Sequence, residues 1–177
     1  VGVTGWYAPG ANMQRSPFGG RNSEYYSEDA YLSGVMAAET SRGAMSMGMN
    51  VYIKHFVANE TETKRTGLKT WLTEQTLREI YCRPFEIAVK ESKPWTVMNA
   101  YNKLNGIYCA ENKWLLTDVL RDEWGYDGLV VSDWGAVHDA CKAIRAGLDL
   151  DMPCNHNIVN DLKKGLDNLK KYIKIAP

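Results

Sequence analysis

The sequence predicts an α/β fold with a parallel sheet, and three observations carry that expectation. Short apolar runs rich in β-branched residues alternate with longer stretches of helical period. The runs are nearly continuous in apolar character, as strands covered on both faces require. Polar and charged residues gather where the runs end: Lys54-His55, Tyr101-Asn102, Ser132-Asp133-Trp134, Asp149 and Asp151. In a (β/α)8 barrel those strand ends build the active-site face. A closed barrel takes about 250 residues and eight strands. This chain has 177 residues and four or five candidate strands. The expected architecture is therefore a partial (β/α)8 barrel, incomplete in this chain.

The elements run in order along the chain. Residues 1–8 supply a possible first strand. Ser27 reads as an N-cap with Glu28 and Asp29 in the first turn, opening a helix that runs to about Met47. Met49–Phe56 reads as a strand. Thr73 caps the next helix, in which Leu77, Ile80, Tyr81, Phe85 and Ala88 share a face. Trp95–Tyr101 is a third strand. Leu115, Leu116, Val119 and Leu120 form one helical stripe, and Gly125 sits where a helix ends in a left-handed residue. Gly128–Trp134 is the clearest strand, Asp139–Arg145 a short helix, and Gly147–Met152 a plausible further strand. A last helix runs from about Ile158 to Ile173, with Ile158, Leu162, Leu166, Leu169 and Ile173 on one stripe. The division is residues 1–154 for the barrel-like part and 155–177 for the terminal helix.

Composition excludes several classes. Hydrophobic residues make up 45% and charged residues 24%, so the chain is globular rather than disordered or fibrous. Lys+Arg and Asp+Glu balance at 21 each, which argues against a nucleic-acid partner. No apolar run approaches the roughly 20 residues of a membrane span. The four cysteines show no C-x-x-C spacing and are expected to be reduced and mostly buried. The histidines form no H-x-x-x-H pair, and no metal site or cofactor is expected. The chain opens on Val1, so the lack of a leader leaves the compartment open between the cytoplasm, which is favoured, and export.

Asp133 follows Leu-Val-Val-Ser at the exit of a buried strand, where a rigidly held carboxylate serves as nucleophile, base or ligand. An aspartate there equally suits the cap of a helix starting near Ala136. Lys54 and His55 end another strand. Consecutive strand residues point to opposite faces, so both reach one ligand only if the strand bends. His55 alone reads as easily as a hydrogen-bonded structural histidine. Arg21 follows two glycines in a tight loop, and Arg65 closes a polar segment after His55; either could be a solvated surface charge. Trp134 beside Asp133 suits a sugar face, whereas Trp71, Trp114 and Trp124 read as packing residues.

Taken together, these segments resemble glycoside hydrolase family 3 of the β-glucosidase type. The stretches that carry the resemblance are Arg15-Ser16-Pro17-Phe18-Gly19-Gly20-Arg21-Asn22, Tyr25-Tyr26-Ser27-Glu28-Asp29, Lys54-His55-Phe56 and Leu77-Arg78-Glu79-Ile80-Tyr81. They continue through Met98–Gly106, Glu123-Trp124-Gly125, Val131-Ser132-Asp133-Trp134-Gly135 and Ala146–Pro153. The resemblance covers about residues 6–154. It implies a retaining exo-β-glucosidase with Asp133 as nucleophile. Arg21, Lys54, His55 and Arg65 would hold the hydroxyls of the terminal glucose, with Tyr101 near the nucleophile and Met98 and Trp134 lining the sugar site. It also implies that the first barrel strands, and a C-terminal α/β domain bearing the acid/base glutamate, lie outside this chain. Ser23, Glu60, Lys64 and Asp151 depart from the family pattern. The substrate partner implied is a β-glucoside or oligosaccharide, and the isolated chain is expected to turn over little or none. Exposed sheet edges invite self-association. Two other classes stay open: a non-catalytic sugar-binding module and a self-associating structural fragment. A β-N-acetylglucosaminidase is disfavoured because Val57-Ala58-Asn59 comes after Lys54-His55-Phe56, whereas a β-xylosidase stays open.

Overall fold

The computed structural model describes residues 2–153 and 156–172, with side chains described over 159–167 in the last segment. In chain order the elements are β1 (Gly5–Trp6), α1 (Ala30–Ser46), β2 (Asn50–Phe56), β3 (Lys69–Thr70), α2 (Glu74–Thr76), α3 (Arg83–Ser92) and β4 (Thr96–Asn99). Then come β5 (Lys103–Leu104), β6 (Ile107–Tyr108), β7 (Leu129–Val131), α4 (Ala140–Ala146) and α5 (His156–Tyr172). Two helical segments, Leu77–Tyr81 and Trp114–Glu123, carry the wider π-type hydrogen bonding. No helix among the described residues is long and apolar enough to cross a membrane.

The main sheet runs β1-β2-β4-β7 with every pairing parallel. Its spatial order is its sequence order, and a helical crossover joins each strand to the next, as successive β-α units of a barrel wall require. The expected parallel α/β architecture is present, and it is open. The segment expected as a further strand, Gly147–Met152, touches the sheet through the single bridge Val131↔Leu150. The carboxylate of Asp149 accepts the Val130 N–H at 2.7 Å, so a side chain stands in for part of the ladder.

A second small sheet is present that the sequence reading did not include. β3 pairs parallel with β5, and β5 forms a hairpin with β6 around Asn105-Gly106, both at positive φ. Two-residue turns of that kind favour Asn-Gly. The hairpin comes after the strand-like run at Tyr101, whose extended conformation ends early at Asn99.

The core lies between the sheet and its helices. Phe56 is fully buried, and its ring packs 5.2 Å from Phe85 and 5.6 Å from Trp124. Leu115, Leu116, Val119 and Leu120 are buried along the expected stripe, and Gly125 adopts φ 71° beyond the helix. At Gly34 a side chain would lie 2.9 Å from Ile87 and 3.1 Å from Pro84, so glycine is what lets α1 close on α3.

Three local expectations need correction. The N-cap of α1 is Asp29, whose carboxylate accepts the Leu32 N–H, and not Ser27. The Ser27 hydroxyl is used one step earlier, accepting the Asp29 N–H. Ile80 does not join the buried face of Leu77, Tyr81, Phe85 and Ala88. The π turn over Leu77–Tyr81 interrupts the helical period and leaves it 42% exposed. Trp71 is not a packing residue either: it sits between β3 and α2 and is 68% exposed. In α5, Leu166 is exposed and Leu162 half-buried, whereas Ile158, Leu169 and Ile173 fall outside the described side chains. Cys82 and Cys109 are buried free thiols, and burial pushes both pKa values up, Cys109 to about 12. Cys154 lies outside the described residues.

Candidate active site

The C-terminal ends of β2, β4 and β7, with the loop before α1, enclose a cavity of about 280 Å³. Arg21, Lys54, His55, Arg65, Met98, Tyr101, Asp133 and Trp134 all line it. The structure thus brings together every site residue that the sequence nominated. It adds Tyr7 from just beyond β1, which the sequence did not single out. Tyr7 packs on Tyr52 at 4.5 Å between centroids.

Asp133 stands two residues beyond β7 and is 7% exposed. It does not cap a helix: α4 starts later, at Ala140, and Asp139 is its cap. One Asp133 oxygen, Oδ1, accepts the Trp134 N–H at 2.8 Å. The other, Oδ2, has no hydrogen-bond partner among the described residues although it is buried. Burial pushes the Asp133 pKa above the ordinary carboxylate value. The Trp134 N–H and the charges of Arg21, Arg65 and Lys54 oppose that rise without cancelling it.

Lys54 and His55 both face the cavity despite being consecutive. The register of β2 against β4 slips between Ile53 and Phe56, and an irregularity of this kind re-aims side chains at a strand end. His55 is 1% exposed. Asn12 holds its backbone from both sides: the amide oxygen accepts the His55 N–H at 2.7 Å, and the amide nitrogen donates to the His55 carbonyl at 3.0 Å. The imidazole Nδ1 lies 3.3 Å from the Tyr25 hydroxyl, and Nε2 lies 3.7 Å from Asp133 Oδ2. Burial, with the charges of Arg21, Lys54 and Arg65, drives the His55 pKa well below its ordinary value. The ring is neutral at neutral pH, so its contact with Asp133 is not an ion pair.

The cations of the wall are held by two glutamates that the sequence did not nominate as binding residues. Glu24 accepts from Arg21 Nε and lies 3.0 Å from Lys54 Nζ. Glu62 lies 3.0 Å from Arg65 and 3.7 Å from Arg21. Charges therefore alternate as Lys54, Glu24, Arg21, Glu62, Arg65 along one side of the cavity. Burial raises the Glu24 pKa, but hydrogen bonds from Arg21 and Lys54 outweigh it and hold the carboxyl below its usual value. Arg21 keeps one buried terminal nitrogen, Nη1, without a hydrogen-bond partner among the described residues.

The remaining wall is aromatic. The Arg65 guanidinium lies 4.8 Å over the Tyr101 ring, and the Tyr101 hydroxyl donates to the Trp134 carbonyl at 2.5 Å. Burial and the charge of Asp133 push the Tyr101 pKa up. Met98 is buried on β4, and Trp134 is 60% exposed at the rim. Such a site combines a buried carboxylate, several fixed donors and an open aromatic face, the equipment for binding a polyhydroxylated ring. Among the described residues no three His, Cys, Asp or Glu side chains gather in a metal-binding group.

The Glycosyl hydrolase family 3 N terminal domain matches the sequence over residues 1–176. Thermostable β-glucosidase B of Acetivibrio thermocellus is 56% identical over 152 residues, covering 86% of this chain and 20% of that protein. An exo-α-(1→6)-L-arabinopyranosidase of Bifidobacterium longum is 49% identical over 161 residues, covering 89% of this chain and 21% of that protein. Among solved structures, β-glucosidase 3B of Thermotoga neapolitana in complex with α-D-glucose superposes with a TM-score of 0.88 at 50% identity. That match covers 96% of this chain and 24% of the other. The chain spans about a fifth of the length of the curated relatives it matches. With motif order, strand order and overall match in agreement, the chain belongs to glycoside hydrolase family 3 and corresponds to part of its N-terminal domain.

Proposed function

We propose that this chain carries the nucleophile and part of the sugar-binding wall of a retaining exo-β-glucosidase. The observation that carries the reading is the state of Asp133: fixed through Oδ1, without a hydrogen-bond partner at Oδ2 among the described residues, and surrounded by every other nominated residue. In the first step Oδ2 attacks the anomeric carbon, a glycosyl–Asp133 ester forms, and the glycosidic oxygen leaves with a proton. That proton comes from a second carboxyl about 5–5.5 Å away in retaining enzymes. No such acid is assigned within this chain; Glu60, Glu62 and Glu111 are not offered for the role. In the second step, water deprotonated by the same carboxyl hydrolyses the ester.

The remaining residues support the sugar. Arg21, Lys54, His55 and Arg65 present donors to ring hydroxyls and so fix the orientation of the ring against Asp133. Met98, Tyr101 and Trp134 offer the apolar contact. The cavity of about 280 Å³ lies below the roughly 300–1,000 Å³ of drug-sized sites and suits one sugar ring. The arabinopyranosidase relatives keep a second pyranose in view, so the test compares both sugars. Because the chain spans so little of its relatives, isolated it should turn over little or none.

Incubation with a 2-deoxy-2-fluoro-β-glucoside bearing a dinitrophenolate leaving group tests the reading by intact mass. That leaving group departs without protonation, and the fluorine slows both steps. One glycosyl adduct mapped to Asp133 is expected, and Asp133→Asn should remove it. An adduct on another carboxylate sinks the assignment. Faster labelling by the arabinopyranosyl analogue would move the substrate to that sugar.

A further inference from the structure

We infer that Tyr25 is a positioning residue: its hydroxyl fixes the His55 imidazole as the tautomer whose Nε2–H faces the nucleophile and the sugar. A neutral imidazole has one donor and one acceptor nitrogen, and the hydroxyl of a tyrosine donates one bond. On one side of the ring, Nε2 lies 3.7 Å from Asp133 Oδ2. An ionised carboxylate only accepts, so a bare Nε2 would set lone pair against lone pair beside an oxygen without a hydrogen-bond partner among the described residues. A protonated Nε2 is attractive there. Nδ1 is then the acceptor, and the hydroxyl beside it is that of Tyr25 at 3.3 Å. Tyr25 has a competing acceptor, the Asn59 carbonyl, also at 3.3 Å. The tautomer of His55 therefore depends on which way the Tyr25 proton turns: donated to Nδ1, it fixes the Nε2–H form, the one the nearby Asp133 carboxylate also tolerates.

Asn12 clamps the His55 backbone from both sides, and burial of the residue at 1% exposure confines the ring. Double protonation is opposed by burial and by Arg21, Lys54 and Arg65. The distance to Oδ2 exceeds that of a hydrogen bond. The Nε2–H is consequently a donor held in reserve, available to a sugar hydroxyl when the cavity fills. Tyr25 is 5% exposed and does not line the cavity; it acts through His55. The catalytic meaning rests on Asp133 being the nucleophile, but the tautomer is measurable whether or not the chain labels.

The test is long-range ¹H–¹⁵N correlation on the ¹⁵N-histidine-labelled chain at pH 7, where three histidines give a resolvable set. The expected His55 pattern is Nε2 protonated and Nδ1 bare, with the Tyr25 hydroxyl proton coupled to Nδ1. In Tyr25→Phe the pattern should shift toward a mixture, with the backbone spectrum preserved. A protonated Nδ1 in the parent chain overturns the inference. So does a Tyr25→Phe pattern identical to the parent. Should that variant not fold, a parent chain additionally labelled with ¹³C at the Asn59 carbonyl, in which the Tyr25 hydroxyl proton couples to that carbonyl and not to Nδ1, overturns it equally.

Discussion

Replacing Glu24 by glutamine removes one negative charge from between two cations and changes little else in volume. Glu24 accepts from Arg21 Nε and sits 3.0 Å from Lys54 Nζ, with side chains 17% and 14% exposed at the two cations. Hydrogen bonds to charged groups contribute about 1.5–3 kcal/mol each. An amide can still accept from one partner, but its NH₂ then faces the other cation. The net cost is one bond lost and one weakened, about 2 kcal/mol. At roughly 2–4 °C per kcal/mol for a chain of this size, the melting temperature falls by about 4–8 °C. The pH dependence is a sharper signature. The folded pKa of Glu24 is depressed, so its contribution is fully present above the unfolded value of about 4.3 and disappears as pH falls through the folded value. Urea unfolding from pH 7 to pH 3 should show parent and Glu24→Gln converging at the acid end. A gap under about 0.5 kcal/mol at pH 7, or one that stays constant to pH 3, refutes the idea that Glu24 binds these cations together.

Other outcomes rest on single contacts. Gly34→Val should destabilise by about 1–3 kcal/mol in denaturant, because its branches would meet Ile87 and Pro84 at the crossing of α1 and α3. Thr73→Ala should cost about 1 kcal/mol by freeing the Thr76 N–H, whereas Ser27→Ala should not cost α1 its cap. The His55 ring resonances should titrate below the range of a free histidine. Its depressed pKa means that the unfolded chain takes up the proton first, so stability from this group falls as pH drops below about 6.5. A His55 titration midpoint near that of a free histidine would contradict its burial among three cations.

The strand–helix alternation and the polar strand ends were readable because both arise from local pattern. Val130 and Val131 can only be a buried strand, and the residues just past a buried strand in a parallel sheet face the ligand side. The joint placement of Lys54 and His55 was not readable. Period-two alternation sends them to opposite faces, and only the register slip seen against β4 reverses that. Glu24, Glu62, Asn12 and Tyr25 were missed for a related reason. Glu24 and Glu62 each have one partner three residues away, Arg21 and Arg65, but the second cation of each lies across a loop, as do the partners of Asn12 and Tyr25, and nothing in local spacing marks a carboxylate as the link between a near and a distant cation. The β5–β6 hairpin did carry a signal, Asn105-Gly106, which the helix and strand periods around it outweighed. Trp71 shows the opposite error. Aromatic character alone predicts burial, but it says nothing about a residue stranded between two short elements.

β7 has three residues, yet Asp133 depends on it for the face it presents. Asp149 keeps so short a strand from sliding. One of its oxygens accepts from both Val130 N–H and Arg121, while Arg121 also donates to the carbonyls of Gly128 and Gly147 on either side. A slip of one residue would send Asp133 to the opposite face of the sheet. Alignment of Asp133 is thus guarded by an electrostatic pin and not by the length of a ladder. Loosening that pin would free β7 to shift and turn the Asp133 carboxylate toward the wrong side.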